Sequence, residues 1–154
     1  MTNFPSILRC PKSGEQLDII PNNTKNIIKK NSTYLISESR NFKYPIIKNI
    51  IRFVEKDNYA QNFGLQWNFF SKTQLDSFSG HSISYDRFWK STGWQIKDLK
   101  DKWVLDIGCG SGRFAEIALK AGANVVALDY SSSVDACYQN LSHFENFYVI
   151  QADI

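Results

Sequence analysis

The sequence predicts an α/β protein, the first half of a doubly wound parallel sheet preceded by a small β-rich module. Three observations predict it. Apolar runs of the kind found in buried parallel strands occur at 102–107, 124–129 and 147–151. Segments of helical length lie between them, at 113–121 and 132–143, and serve as right-handed crossovers that order the strands 3-2-1. The amino-terminal part, to about residue 55, has short apolar runs broken by polar turn formers, as a set of small strands does.

Taken in order, residues 1–56 form the β-rich module, 57–100 an aromatic-rich helical linker or lid, and 101–154 the half-sheet. In the first, the run from Leu8 to Leu17 reads as a knuckle, with strands at 33–36 and 44–53. Its core is expected to rest on Leu8, Leu17, Ile19, Leu35, Ile46, Ile47 and Phe53. The second carries Tyr59, Phe63, Trp67, Phe69, Phe70, Phe78, Tyr85, Phe88, Trp89 and Trp94. Helical spacing groups Phe63 with Trp67 and Phe70, and Tyr85 with Phe88 and Trp89. Such aromatics either bury linker helices against the sheet or form a lid that excludes water from a cation.

The half-sheet opens with Val104-Leu105-Asp106-Ile107-Gly108-Cys109-Gly110-Ser111-Gly112-Arg113. Glycines after a buried strand let the backbone turn sharply and approach a ligand. In a dinucleotide fingerprint the third glycine follows the second by three residues, whereas Gly112 follows Gly110 by two. Asp106 at the strand end repels phosphate and attracts an ammonium group. The pattern therefore favours a cationic, phosphate-free cofactor over a nicotinamide dinucleotide. Asp129 ends the second strand, where a carboxylate can accept bonds from a ribose diol or cap the helix that Ser131-Ser132-Ser133 opens.

The segment Asp106-Ile107-Gly108-Cys109-Gly110-Ser111-Gly112 resembles the first motif of class I S-adenosylmethionine-dependent methyltransferases, which have a Rossmann-like fold. The resemblance implies S-adenosylmethionine as cofactor and in-line methyl transfer to an acceptor that the sequence does not identify. It implies that Gly108, Gly110 and Gly112 lie along the methionine part and that Asp106 sits near its ammonium. Asp129 then holds the ribose, Tyr130 packs on the adenine, Asp153 orients the adenine amino group, and Cys109 packs within the loop. No catalytic base is named: His81 and His143 are the chain's two imidazoles, and neither has a triad or metal-ligand pattern around it. A complete sheet of this kind needs more strands, so a truncated form is expected, together with a partner chain that completes the sheet. The alternative reading is a non-catalytic cofactor-binding or interaction module.

The amino-terminal segment resembles the Trm112-like zinc-ribbon family, on Cys10-Pro11-Lys12-Ser13 and the strand Tyr44-Pro45-Ile46-Ile47. Ser13 stands where the second knuckle cysteine is expected, and one cysteine cannot build a structural zinc site, so the module is read as metal-free.

Composition bounds the rest. The net charge is +3, with ten basic and four acidic residues in 1–56 against eight and eleven in the remainder. No aromatic platform is interleaved with those basic residues to signal nucleic-acid binding. No apolar run approaches the length that spans a bilayer. Three widely spaced cysteines, Cys10, Cys109 and Cys137, exclude a disulfide framework, and a cytoplasmic protein is expected.

Overall fold

The computed structural model describes residues 8–21, 33–55 and 60–153; Tyr59 of the aromatic segment lies outside them. The chain divides into two compact units, residues 1–53 and 54–154.

The first unit is an antiparallel meander of β1 (Leu17–Pro21), β2 (Thr33–Ser37), β3 (Lys43–Ile47) and β4 (Ile50–Arg52). The single strand expected over 44–53 is in fact the hairpin β3–β4. Lys48 and Asn49 both adopt positive φ, 52° and 64°, as a two-residue turn matched to strand twist requires. The core differs accordingly. Leu35, Tyr44, Ile50 and Ile51 are buried, whereas Ile19 and Ile47 of the expected core are about half exposed (49% and 50%). Ile19 lies on β1, which among the described residues pairs with β2 alone, and Ile47 borders the turn. The knuckle survives as a turn: Gly14 N–H donates to the Cys10 carbonyl and Cys10 N–H to that of Glu15, each at 2.8 Å. The Cys10 sulfur is buried 3.2 Å from the Tyr44 hydroxyl, whose ring packs edge-on against Phe53.

The second unit runs α1 (Gln61–Phe69), α2 (Asp76–Ser79), α3 (Ile83–Thr92), α4 (Ile96–Leu99), β5 (Trp103–Ile107), α5 (Arg113–Lys120), β6 (Asn124–Asp129), α6 (Ser133–Leu141) and β7 (Phe147–Gln151). Its strands are parallel and ordered β7-β6-β5, the 3-2-1 arrangement expected from sequence. Register places Asp106 beside Ala127, and Ala127 beside Val149. Val125, Ala127, Phe147 and Val149 alternate onto the buried face, against which α5 and α6 pack. Trp103, Leu105 and Ile107 alternate onto the other face and are each about half exposed.

Before the sheet, the Asp76 carboxylate accepts the N–H groups of Ser84 and Tyr85 at 3.1 and 2.7 Å, capping the first turn of α3. The aromatic segment behaves in two ways. Phe88 of α3 is buried edge-on to Trp89, as expected of a packing residue. In α1, Phe63 and Phe69 face outward, and the helix packs on α6 through Gly64. The glycine lets the backbone of α1 approach the start of α6 closely. No helix of the described residues is long and apolar enough to cross a membrane.

Candidate functional site

The site grows out of the carboxyl ends of β5 and β6, where an open parallel sheet offers its ligand crevice. The chain leaves β5 through Gly108 at φ 74°, a left-handed conformation that disfavours any side chain. A Cβ built at Gly108 meets no atom within 4 Å, so this part of the loop is open to an approaching molecule. The N–H groups of Gly108 and Cys109 both donate to the Leu128 carbonyl, at 2.8 and 3.0 Å, which anchors the loop to β6.

Gly110 is covered on one side. Its Cβ position lies 3.7 Å from the indole of Trp67, so α1 lays an aromatic ring along the loop. Gly112 has a packing role that the sequence reading did not assign to it. A Cβ there would stand 2.6 Å from Leu141 Cδ1 and 3.0 Å from Cys137 Sγ, so this glycine lets the start of α5 pack on α6. Cys109 is buried, and its thiol is pushed well up by the hydrogen bond with Cys137 and by burial. That makes it a packing residue rather than a nucleophile.

Asp129 holds this arrangement together. One carboxylate oxygen accepts Gly110 N–H at 3.0 Å; the other accepts the Ser131 N–H and hydroxyl, both at 2.8 Å. The carboxylate thus binds the glycine loop and caps the turn into α6. Asp106 lies on the neighbouring strand. Burial raises its carboxyl above the usual range, the nearby Asp129 adds to the rise, and the Ala115 N–H opposes it. Its Oδ2 is buried without a protein partner. An unpartnered carboxylate oxygen beside an open glycine is suited to a cationic group.

Tyr130 follows directly and is half-buried, with its carbonyl accepting Gln151 Nε2 at 2.9 Å. Asp153 is exposed just beyond β7, whose end is tied to that of β6 by Ala152 N–H donating to the Asp129 carbonyl. The structure therefore gathers Asp106, Gly108, Gly110, Asp129 and Tyr130 at adjoining strand ends, sets Gly112 and Cys109 into the packing behind them, and puts Asp153 at the margin. Neither imidazole joins the cluster through a hydrogen bond: His81 is exposed between α2 and α3, and His143 stacks on Phe144. A groove of about 330 Å³ lies beside β5 between α3 and α5, with Phe88, Trp94 and Phe114 in its walls. Asp106 borders it.

Sequence reading missed how α1 is fastened to the site. Gly64 touches Ser132 so closely that a Cβ would stand 2.0 Å from its hydroxyl oxygen, and Asn68 donates to the Ser132 carbonyl at 3.0 Å. The Phe63-Gly64-Leu65-Gln66-Trp67 run held a signal for this, an isolated glycine within a helical pattern.

Residues 105–154, about a third of the chain, match the family model described as a methyltransferase domain. The matched segment has a Rossmann-like α/β arrangement, and its similarity is to methyltransferase domains. The chain is similar to a ubiquinone biosynthesis O-methyltransferase of Hydrogenovibrio crunogenus, 40% identical over 40 residues that make up 26% of the chain and 17% of the relative. It is also similar to a malonyl-(acyl-carrier protein) O-methyltransferase of Hamiltonella defensa, 37% identical over 76 residues, covering 42% of the chain and 30% of the relative. The chain thus spans less than a third of the length of either relative.

Proposed function

We propose that the second unit binds S-adenosylmethionine at the ends of β5 and β6, and that the protein transfers its methyl group to an acceptor. The observation that carries this reading is the open backbone at Gly108 beside the buried, unpartnered Oδ2 of Asp106. A phosphate-bearing cofactor is disfavoured there by the paired charges of Asp106 and Asp129. A sulfonium cofactor with an ammonium end suits them, and supplies an electrophilic methyl group that needs no enzyme nucleophile.

The chain's own residues orient and shield. Asp106 meets the ammonium. Asp129 exchanges part of its present bonding for the ribose hydroxyls, while Gly108 and Gly110 offer backbone along the methionine part. Tyr130 packs on the adenine, and Asp153 receives its amino group. Trp67 covers the loop and keeps water from it, so that positioning and desolvation carry most of the rate. The two relatives are named as O-methyltransferases, which supports an oxygen acceptor.

Among the described residues β5 pairs with β6 alone, and Trp103, Leu105 and Ile107 stand half exposed on it. We infer that a further strand, from a partner chain or from the rest of the protein, pairs there. In the chain by itself, alternate β5 amides should exchange with solvent faster than those of β6; uniformly slow exchange contradicts this. The cysteines are all free and buried, the state thiols keep in a reducing compartment, which supports a cytoplasmic setting. Recovery of the native protein from a membrane or secreted fraction would count against it.

Titration with S-adenosylhomocysteine and with NADH tests the cofactor directly. Saturable binding of the first and none of the second is expected; the reverse pattern overturns the reading.

A further inference from the structure

The side chain of Asn140, on the last turn of α6, spends its amide nitrogen on two carbonyls from separate parts of the chain. Nδ2 donates to Ser71 O at 2.8 Å and to Ser111 O at 2.9 Å. Ser71 follows the end of α1, and Ser111 lies in the glycine loop between Gly110 and Gly112. One planar group thereby sets the spacing between the aromatic cover and the loop beneath it.

The arrangement carries a cost that packing alone does not explain. Asn140 Oδ1 is buried without a partner, as is the hydroxyl of Ser111. A half-satisfied buried amide is less favourable than an apolar side chain of the same size. Its two hydrogen bonds act on geometry: turning the amide over would set its oxygen against both carbonyls, so one orientation is enforced. Held in this way, the end of α1 keeps the Trp67 indole 3.7 Å from the position a Cβ would take on Gly110, and the Ser111 carbonyl fixes the turn whose preceding N–H binds Asp129.

We propose that Asn140 is a positioning residue for cofactor binding, a latch that joins the segment after α1 to the glycine loop and so sets how closely Trp67 covers the nucleoside site. The role rests on the cofactor reading given above. Asn140 touches no ligand in this account; it acts through Ser71 and Ser111.

The test compares the parent chain with Asn140→Leu, which keeps the size and removes both donors, and Asn140→Asp, which keeps the shape but can only accept. Hydrogen exchange is measured without ligand, and S-adenosylhomocysteine affinity by calorimetry. Residues 67–72 and 108–112 should exchange faster in the variants while β6 and β7 hold the parent rate, and affinity should fall about tenfold with the two bonds. A merely structural residue would lower the melting temperature and leave the affinity of the folded protein alone. Should Asn140→Leu fail to fold, Asn140→Asp carries the same comparison. Unchanged exchange in both segments, or affinity within about twofold of the parent in a folded variant, overturns the proposal. If the parent shows no binding heat, the cofactor reading fails and the exchange comparison alone decides the latch.

Discussion

Asp129 Oδ2 accepts the backbone N–H of Gly110 at 3.0 Å, a bond that spans 19 residues and joins the end of one parallel strand to the loop leaving its neighbour. With Ser131 bound to the other oxygen, the carboxylate is a fastening of the fold as well as a candidate ligand group. Asp129→Ala should therefore lower stability by about 2 kcal/mol, because Gly110 and Ser131 donors lose their acceptor. Asp129→Asn, which keeps an accepting oxygen, should lose less. Thermal melts of the three proteins check the order, and equal losses for the two variants contradict it.

Asp106 should show the opposite balance. Burial and the neighbouring Asp129 raise its carboxyl in the folded chain, so between the ordinary and the raised value the folded state binds more protons than the unfolded state. Stability then falls as pH rises through that window, and the loss persists above it. Asp106→Asn is expected to melt higher than the parent at neutral pH, to lose that advantage in acid, and to bind S-adenosylhomocysteine more weakly. A variant that melts lower at neutral pH would show that the carboxylate is stabilised by partners the burial argument leaves out.

Asp76 behaves as a helix cap. Burial pulls its carboxyl upward, but the donors of Tyr85 and Ser84, with the charge of Arg113, bring it below the ordinary value. Its contribution is then complete above the ordinary carboxylate range and is lost as pH falls through the lowered value. Asp76→Ala should cost about 1 kcal/mol near neutrality and converge on the parent in acid. Denaturant unfolding across pH checks this; a gap that stays constant in acid contradicts it.

Two glycines of the loop should separate stability from binding. Gly112→Ala drives a methyl into Leu141 and Cys137 at φ 96° and should cost about 2–3 kcal/mol. Gly108→Ala meets no atom within 4 Å and carries only backbone strain, about 1–2 kcal/mol. The Gly108 variant should nonetheless lose cofactor affinity, since its methyl projects into the open side of the loop. Melting and calorimetry on the pair decide whether the two glycines differ as the geometry requires.

What the sequence made legible followed from local chemistry. The strands β5, β6 and β7 and their order could be read because buried parallel strands are continuous apolar runs between helices of crossover length. The placement of Asp106, Gly108, Gly110 and Asp129 at the strand ends could be read because strand ends and glycine spacing are local signals. The hairpin at Lys48-Asn49 was hidden, because neither residue is the glycine that marks such a turn and apolar residues flank it on both sides. The packing role of Gly112 and the bridge from Asn140 to Ser71 and Ser111 depend on contacts 25 to 69 residues apart, which no local pattern encodes. The exposed phenylalanines of α1 could not be told from buried ones, since helical periodicity gives a face and not the partner that covers it.

The proposed S-adenosylmethionine site lies at the ends of β5 and β6. Calorimetric titration of the chain with S-adenosylhomocysteine, beside Asp129→Ala shown to be folded, tests it most directly. Saturable one-to-one binding by the parent and its loss in the variant are expected. No heat from a folded parent, or equal affinity in the variant, would contradict the proposal.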